Sequence, residues 1–172
     1  MKKVMFTVLI AFAVLIAVFL IRGWITPSVS YQTKIAIDQD VDTVFAFFND
    51  LEKTPLWISG LKKIEALSGV PGATGFRSRY YFEEGGRTTE FTEEVLEVKE
   101  KERFIFKLDS RDLTSLTTTR LTPVANGAEI TMDNVVSGKS FLMKMMLPWV
   151  KGQMLKRQTA DLQRLKGLVE AR

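Results

Sequence analysis

Residues 4–21 form an apolar run of 18 residues, interrupted only by the hydroxyl of Thr7. Lys2 and Lys3 precede it and Arg22 follows it. At about 1.5 Å per residue, a helix of that length nearly spans the roughly 30 Å hydrocarbon core of a bilayer. Everything after Arg22 reads as water-soluble. The run therefore divides the chain into a membrane segment and one small domain, with residues 1–26 as an N-terminal transmembrane anchor, 27–31 as a linker and 32–172 as the folded domain.

An uncleaved anchor is favoured over a cleaved leader. The apolar stretch of a signal peptide is roughly 7–15 residues and ends in a small-x-small site. Here the run is longer and continues into Arg22-Gly23-Trp24-Ile25-Thr26-Pro27. Trp24 suits the membrane interface, where an amphipathic ring sits well. Lys2, Lys3 and the terminal amine oppose Arg22 and Lys34 across the segment. The positive-inside rule then puts the N-terminus in the cytoplasm and the domain outside, which in a bacterium is the periplasm or cell exterior. The chain has no cysteine, which excludes a disulfide framework and a thiolate metal site.

The formal charge of +4 belongs mostly to the N-terminal segment: residues 23–172 hold 21 basic and 20 acidic residues. No global basic field exists to hold nucleic acid. The charge is uneven, however. Residues 139–172 carry +6 and residues 23–138 carry −5. A solvated helix face beside an acidic sheet explains this. A helix lying near anionic headgroups also does.

Alternation around Ile35 and Ile37 marks a strand at 32–38. A helix follows at 40–48: Asp40 or Asp42 can cap it, and Val41, Val44, Phe45 and Phe48 give one buried face. A second short helical stretch, 51–58, tolerates Pro55 in its first turn. Strands are expected at 61–67, 76–82, 87–98, 103–108, 113–121 and 129–136, with a type I′ hairpin turn at Asn126-Gly127. From Lys139 the period becomes helical. Phe141, Met145, Trp149, Leu155, Leu162, Leu165 and Val169 mark its apolar stripe, Pro148 should kink it, and its first half is rich in methionine.

That order of elements, with particular residues in it, resembles the START-like (SRPBCC) superfamily in its polyketide cyclase/dehydrase and lipid-transport branch. The residues that carry the resemblance are Val44-Phe45-Ala46-Phe47-Phe48-Asn49-Asp50-Leu51 followed by Trp57, and Gly69-Val70-Pro71-Gly72-Ala73-Thr74-Gly75. Val95-x-Glu97, Leu121-Thr122-Pro123 followed by Gly127, and Leu162-x-x-Leu165-Lys166-x-x-Val169-Glu170 also match. The resemblance spans roughly residues 32–171. It implies an α+β helix-grip fold: a curved antiparallel sheet of about seven strands around the long C-terminal helix, enclosing a hydrophobic cavity. Members include carriers of lipids and other hydrophobic ligands, polyketide aromatases/cyclases, quinone-associated proteins and chaperone regulators. The fold alone does not choose among them.

The absence of histidine and cysteine removes Ser-His-Asp and Cys-His nucleophile systems and zinc sites with nitrogen or sulfur ligands. No phosphate loop or dinucleotide fingerprint is present, and no cofactor or metal is expected. Carboxylates remain. On one expected strand Glu90 and Glu94 share a face and Glu93 and Glu97 share the other, and an acid buried in an apolar pocket could serve as a base.

Alternation also selects side chains that face the long helix. Phe76, Ser78, Tyr80 and Phe82 share a face, as do Phe104, Phe106 and Leu108, and Ile130, Met132, Asn134 and Val136. The expected cavity wall is Phe48, Trp57, Phe76, Tyr80, Phe82, Phe104, Phe106, Met132, Asn134, Met145 and Trp149. Tyr80 and Asn134 are its ligand-orienting polar groups. A solid core built from the same residues is the alternative, and Trp57 could equally plug the sheet edge.

The expected function is a membrane-tethered carrier or sensor of a hydrophobic small molecule (a lipid, quinone or polyketide-like compound), with the lipid bilayer as its other partner. A cyclase- or hydrolase-type enzyme using pocket carboxylates and Tyr80, or an envelope protein-interaction module, are the alternatives.

Overall fold

The structure, a computed structural model, describes residues 2–25 and 28–171, apart from the side chains of 2, 3, 16, 19, 20 and 22–25. The elements run α1 (Lys2–Ile25), β1 (Ser28–Ile37), α2 (Val41–Phe48), α3 (Thr54–Trp57), β2 (Leu61–Ser68), β3 (Arg77–Glu84), β4 (Arg87–Lys99), β5 (Arg103–Asp109), β6 (Leu113–Val124), β7 (Gly127–Gly138) and α4 (Phe141–Glu170). The seven strands form one sheet in the order β1-β7-β6-β5-β4-β3-β2, each pair antiparallel. With α4 packed across β1 and β7, this is the expected helix-grip arrangement.

The apolar N-terminal run folds as α1, with side chains such as Val4, Leu9, Phe12 and Leu15 more than half exposed. Among the described residues, no helix is long and apolar enough to cross a membrane. A spanning helix therefore stays an expectation of the sequence. The side chains of Lys2, Lys3, Arg22 and Trp24, on which the orientation and interface readings rest, lie outside the described residues, as does Pro27. Residues 28–31 are not a linker but the start of β1. The inward alternation begins at Val29, which is buried with Val136 and Leu147 beneath the first half of α4.

Asp40, rather than Asp42, caps α2: its carboxylate accepts from the Thr43 amide at 2.9 Å. The second helical stretch shrinks to the single turn α3, whose Thr54 hydroxyl donates to the Asp50 carbonyl. The main core joins Val44, Phe47 and Phe48 of α2, Trp57 of α3 and Leu162, Leu165 and Val169 of α4 to Ile35, Ile37, Ile130 and Leu121 of the sheet. Each fully buried aliphatic side chain here contributes about 1.5–3 kcal/mol of burial energy.

One turn differs from expectation. The type I′ conformation belongs to Gly85-Gly86, both at positive φ, between the paired Glu84 and Arg87. In the β6–β7 hairpin Val124 pairs with Gly127, so Ala125 and Asn126 are the central residues, and neither has positive φ. Gly127 is required for a different reason. Its φ is +135°, and a Cβ there would fall 2.2 Å from the Ile37 carbonyl oxygen at the end of β1. Pro148 lies inside α4, where it leaves the Lys144 carbonyl without its helical donor.

Candidate ligand cavity

Between the concave sheet and α4 lies a cavity of about 400 Å³, within the size range of small-molecule pockets. Its wall is built by period-2 alternation on the strands. Phe76 before β3, Tyr80 and Phe82 on β3, Phe91, Glu93 and Val95 on β4, Phe104, Phe106 and Leu108 on β5, and Met132, Asn134 and Val136 on β7 all line it. Phe48 and Trp57 close it from the two short helices, stacked with ring centroids 5.5 Å apart. Phe104 meets Phe48 edge-on and tilts against Phe106. Phe82 meets Phe91 edge-on. The cavity is thus walled chiefly by aromatic faces and edges.

Of the eleven expected wall residues, Phe48, Trp57, Phe76, Tyr80, Phe82, Phe104, Phe106, Met132 and Asn134 border the cavity; Met145 and Trp149 do not. Met145 is buried elsewhere, and Trp149 is 68% exposed. Nearly every side chain near the start of α4 is apolar, so hydropathy cannot choose the inward face there. The choice follows from the helical phase: stepping back from Val169, Leu165 and Leu162 by three or four residues reaches Gln158, Met154, Val150 and Leu147. Met154 and Gln158 do line the cavity, and Leu147 is fully buried.

Three polar groupings punctuate this apolar wall. The first ties α4 to the sheet. Gln158 Oε1 accepts from Thr33 Oγ1 at 3.1 Å and from Asn134 Nδ2 at 2.9 Å. Asn134 Oδ1 accepts from Thr117 Oγ1 at 2.8 Å. Asn134, expected as a group free to orient a ligand, is therefore engaged in holding the helix onto β1, β6 and β7.

The second ties α4 to the segment after α3. Asp161 Oδ1 accepts from Ser59 N at 3.1 Å and Ser59 Oγ at 2.6 Å, and pairs with Arg164. Arg157 donates to the Ser59 carbonyl at 2.7 Å and to Glu84 Oε2 at 3.0 Å. These bonds latch the segment after α3 and the β3–β4 hairpin to α4.

The third is buried. Ser78 and Glu93 face each other across β3 and β4, and Ser78 Oγ donates to Glu93 Oε2 at 2.9 Å. Both are buried, as is Tyr80 beside them. Burial pushes the Glu93 carboxyl above the usual carboxylate range, against the lowering effect of hydrogen bonds from Tyr80 and Ser78. Burial, followed by the charge of Glu93, pushes Tyr80 well above the usual phenol range. Glu93 and Glu97 do not share a face as expected. A bulge shifts the register between Val95 and Glu97, which reverses the alternation. Glu97 turns outward to Arg103, and Glu90 approaches Arg79 at the surface. Among the four glutamates, Glu93 borders the cavity.

A curved seven-stranded sheet gripping one long helix around an aromatic-lined cavity defines a helix-grip domain of the ligand-cavity type. The chain belongs to the polyketide cyclase / dehydrase and lipid transport family, which it matches over residues 28–170. No curated protein matches it in sequence. Solved structures of the same fold include the di-domain ARO/CYC StfQ from the steffimycin biosynthetic pathway, at 12% identity and a TM-score of 0.70, covering 85% of this chain and 52% of that one. Ara h 8.0201 is similar at 15% identity and a TM-score of 0.68, with 84% and 99% covered. A protein from Thermus thermophilus reaches 20% identity and a TM-score of 0.66, with 84% and 98% covered. At these identities the likeness is one of fold.

Proposed function

We propose that this protein binds and carries a hydrophobic small molecule, a lipid, quinone or polyketide-like compound, while tethered to a membrane by α1. The observation that carries the binding reading is the roughly 400 Å³ cavity between sheet and α4, walled by aromatic side chains from six elements. Family membership supports the same class of ligand. The tether is supported by the sequence run at 4–21 and by the exposed apolar side chains along α1, which call for an apolar surrounding. Tethering keeps such a pocket concentrated beside its source of ligand.

Native mass spectrometry of the full chain, ejected from lipid discs prepared from its own membranes, tests the binding. A discrete added mass supports it; a bare polypeptide, with no uptake of added lipids or quinones, overturns it. Resistance of the full chain to alkaline extraction, lost when residues 2–25 are deleted, tests the tether. Because the sequence lacks cysteine, a single Lys62→Cys variant labelled by an impermeant maleimide in intact cells tests placement of the domain outside the cytoplasm.

A second reading, a cyclase- or hydrolase-type enzyme, is favoured by the buried Glu93 carboxyl beside Tyr80 on the cavity wall. Single substitutions of Glu90, Glu93, Glu94 and Glu97 separate the two. A rate loss confined to Glu93, with binding intact, supports the enzyme.

A further inference from the structure

The charged side chains on the cavity lining do not suit an anionic ligand. Among the described residues the lining carries Glu84, Glu93 and Asp161 against Arg157. Arg157 is already held by Glu84 and the Ser59 carbonyl, and Asp161 by Ser59 and Arg164. A ligand carboxylate or phosphate entering the apolar interior would lose its hydration without gaining a cation, which is strongly unfavourable.

The buried polar groups instead suit an uncharged oxygen. Glu93 is 4% exposed, borders the cavity and has a serine and a tyrosine, not a base, as its hydrogen-bonding neighbours. A carboxyl so placed is held toward its neutral form by burial, and a neutral carboxyl can donate one hydrogen bond and accept others. Phe48, Phe82 and Phe104 on the same lining offer flat apolar surfaces to a flat ligand.

We propose that Glu93, supported by Ser78 and Tyr80, is the specificity-determining polar end of the cavity: it selects an uncharged ring compound bearing a hydroxyl or carbonyl oxygen, and the cavity disfavours anions such as fatty-acid carboxylates. The proposal rests on the cavity being a ligand site and narrows the ligand to one chemical class. It assigns Glu93 a binding role whether or not a reaction follows.

Pyrene, pyrenemethanol and pyrenecarboxylate share one ring system and differ only in the polar group. Their binding to the full chain in a nonionic detergent is read by energy transfer from tryptophan, and ratios between variants in the same micelles cancel partitioning. The wild-type protein should bind pyrenemethanol at least about tenfold more tightly than pyrenecarboxylate. Glu93→Leu should weaken pyrenemethanol by about tenfold, the equivalent of one lost hydrogen bond, and leave pyrene within about threefold. Glu93→Gln keeps a neutral donor and acceptor and should retain pyrenemethanol within about threefold. Retained pyrene binding reports that each variant is folded. Equal wild-type binding of alcohol and carboxylate would overturn the proposal, as would equal effects of Glu93→Leu on pyrene and its alcohol. If the wild-type protein binds none of the three, the cavity reading itself fails and this proposal falls with it.

Discussion

Truncating Leu162 and Phe106 to alanine, side by side, tests whether the space beneath α4 is a cavity or a packed core. Leu162 is 1% exposed and sits in the main core with Leu165 and Val169, so Leu162→Ala removes a fully packed isobutyl group. Leu→Ala changes in rigid cores cost about 2.7–5 kcal/mol, the spread following the void left behind. A fully packed Phe→Ala costs about 3–5 kcal/mol. Phe106 removes more carbon, but it borders the cavity and packs only partly against the core. One side of its ring already lacks partner atoms, so it has fewer dispersion contacts to lose. We expect Leu162→Ala to cost about 3–4 kcal/mol and Phe106→Ala about 1–2 kcal/mol, reversing the order of side-chain size. For a domain of this length each kcal/mol lowers Tm by about 2–4 °C. Thermal unfolding followed by circular dichroism of the full chain in mild detergent should therefore show drops of about 6–16 °C and 2–8 °C, with Leu162→Ala the larger. A Phe106→Ala loss equal to or above that of Leu162→Ala would refute the reasoning. It would mean that Phe106 is packed on all sides and that the aromatic wall is a solid core.

Other expectations follow from the same structure. Gln158→Ala strips hydrogen-bond partners from Thr33 and the buried Asn134 and should cost about 1–3 kcal/mol in urea denaturation. With Asn134→Ala the combined loss should be less than the sum of the two. Because burial raises the Glu93 carboxyl in the folded state, its ionisation opposes folding. Stability is fully present below the unfolded-state pKa and declines as pH rises toward the folded-state value, so Glu93→Gln should raise Tm more at pH 8 than at pH 4. A gain that does not grow with pH would contradict a buried Glu93. Gly127→Ala, forced against the Ile37 carbonyl at a positive φ, should lower Tm far more than Gly72→Ala, which also sits at a positive φ but meets nothing within 4 Å. Glu84→Ala removes an exposed pair with Arg157; surface pairs contribute about 0–1 kcal/mol, so Tm should barely move, while stopped-flow release of a bound pyrene probe should quicken as the latch loosens.

Element order and strand faces were legible because each strand pairs antiparallel and buries one side. A period-2 pattern then reports the inward face wherever pairing is regular, as at Tyr80, Phe106 and Met132. It failed at Glu97, because one extra residue in β4 reverses the alternation and leaves no mark in hydropathy. It also missed the first four residues of β1, whose burial depends on Leu147 of a helix more than a hundred residues away. On α4 the residues that grip the sheet are apolar against a polar background near the C-terminus, and the stripe there was readable. Near the N-terminus the background is itself apolar, and Trp149 was misplaced for that reason.

By itself the sequence determined that an apolar segment precedes one α+β domain, that histidine and cysteine chemistry is excluded, and that the inner faces of the strands are aromatic. Local patterning suffices for each of these, since each rests on residue type or on neighbours within a few positions. Only the tertiary structure decided that the inner faces stop short of closing, leaving a cavity, that Asn134 is held by Gln158 and Thr117, and that Glu93 alone of its strand's four glutamates lines the cavity among the described residues. Those outcomes depend on how far α4 stands from the sheet and on a single bulge. Both are set by contacts between residues distant in the chain, which no local pattern records.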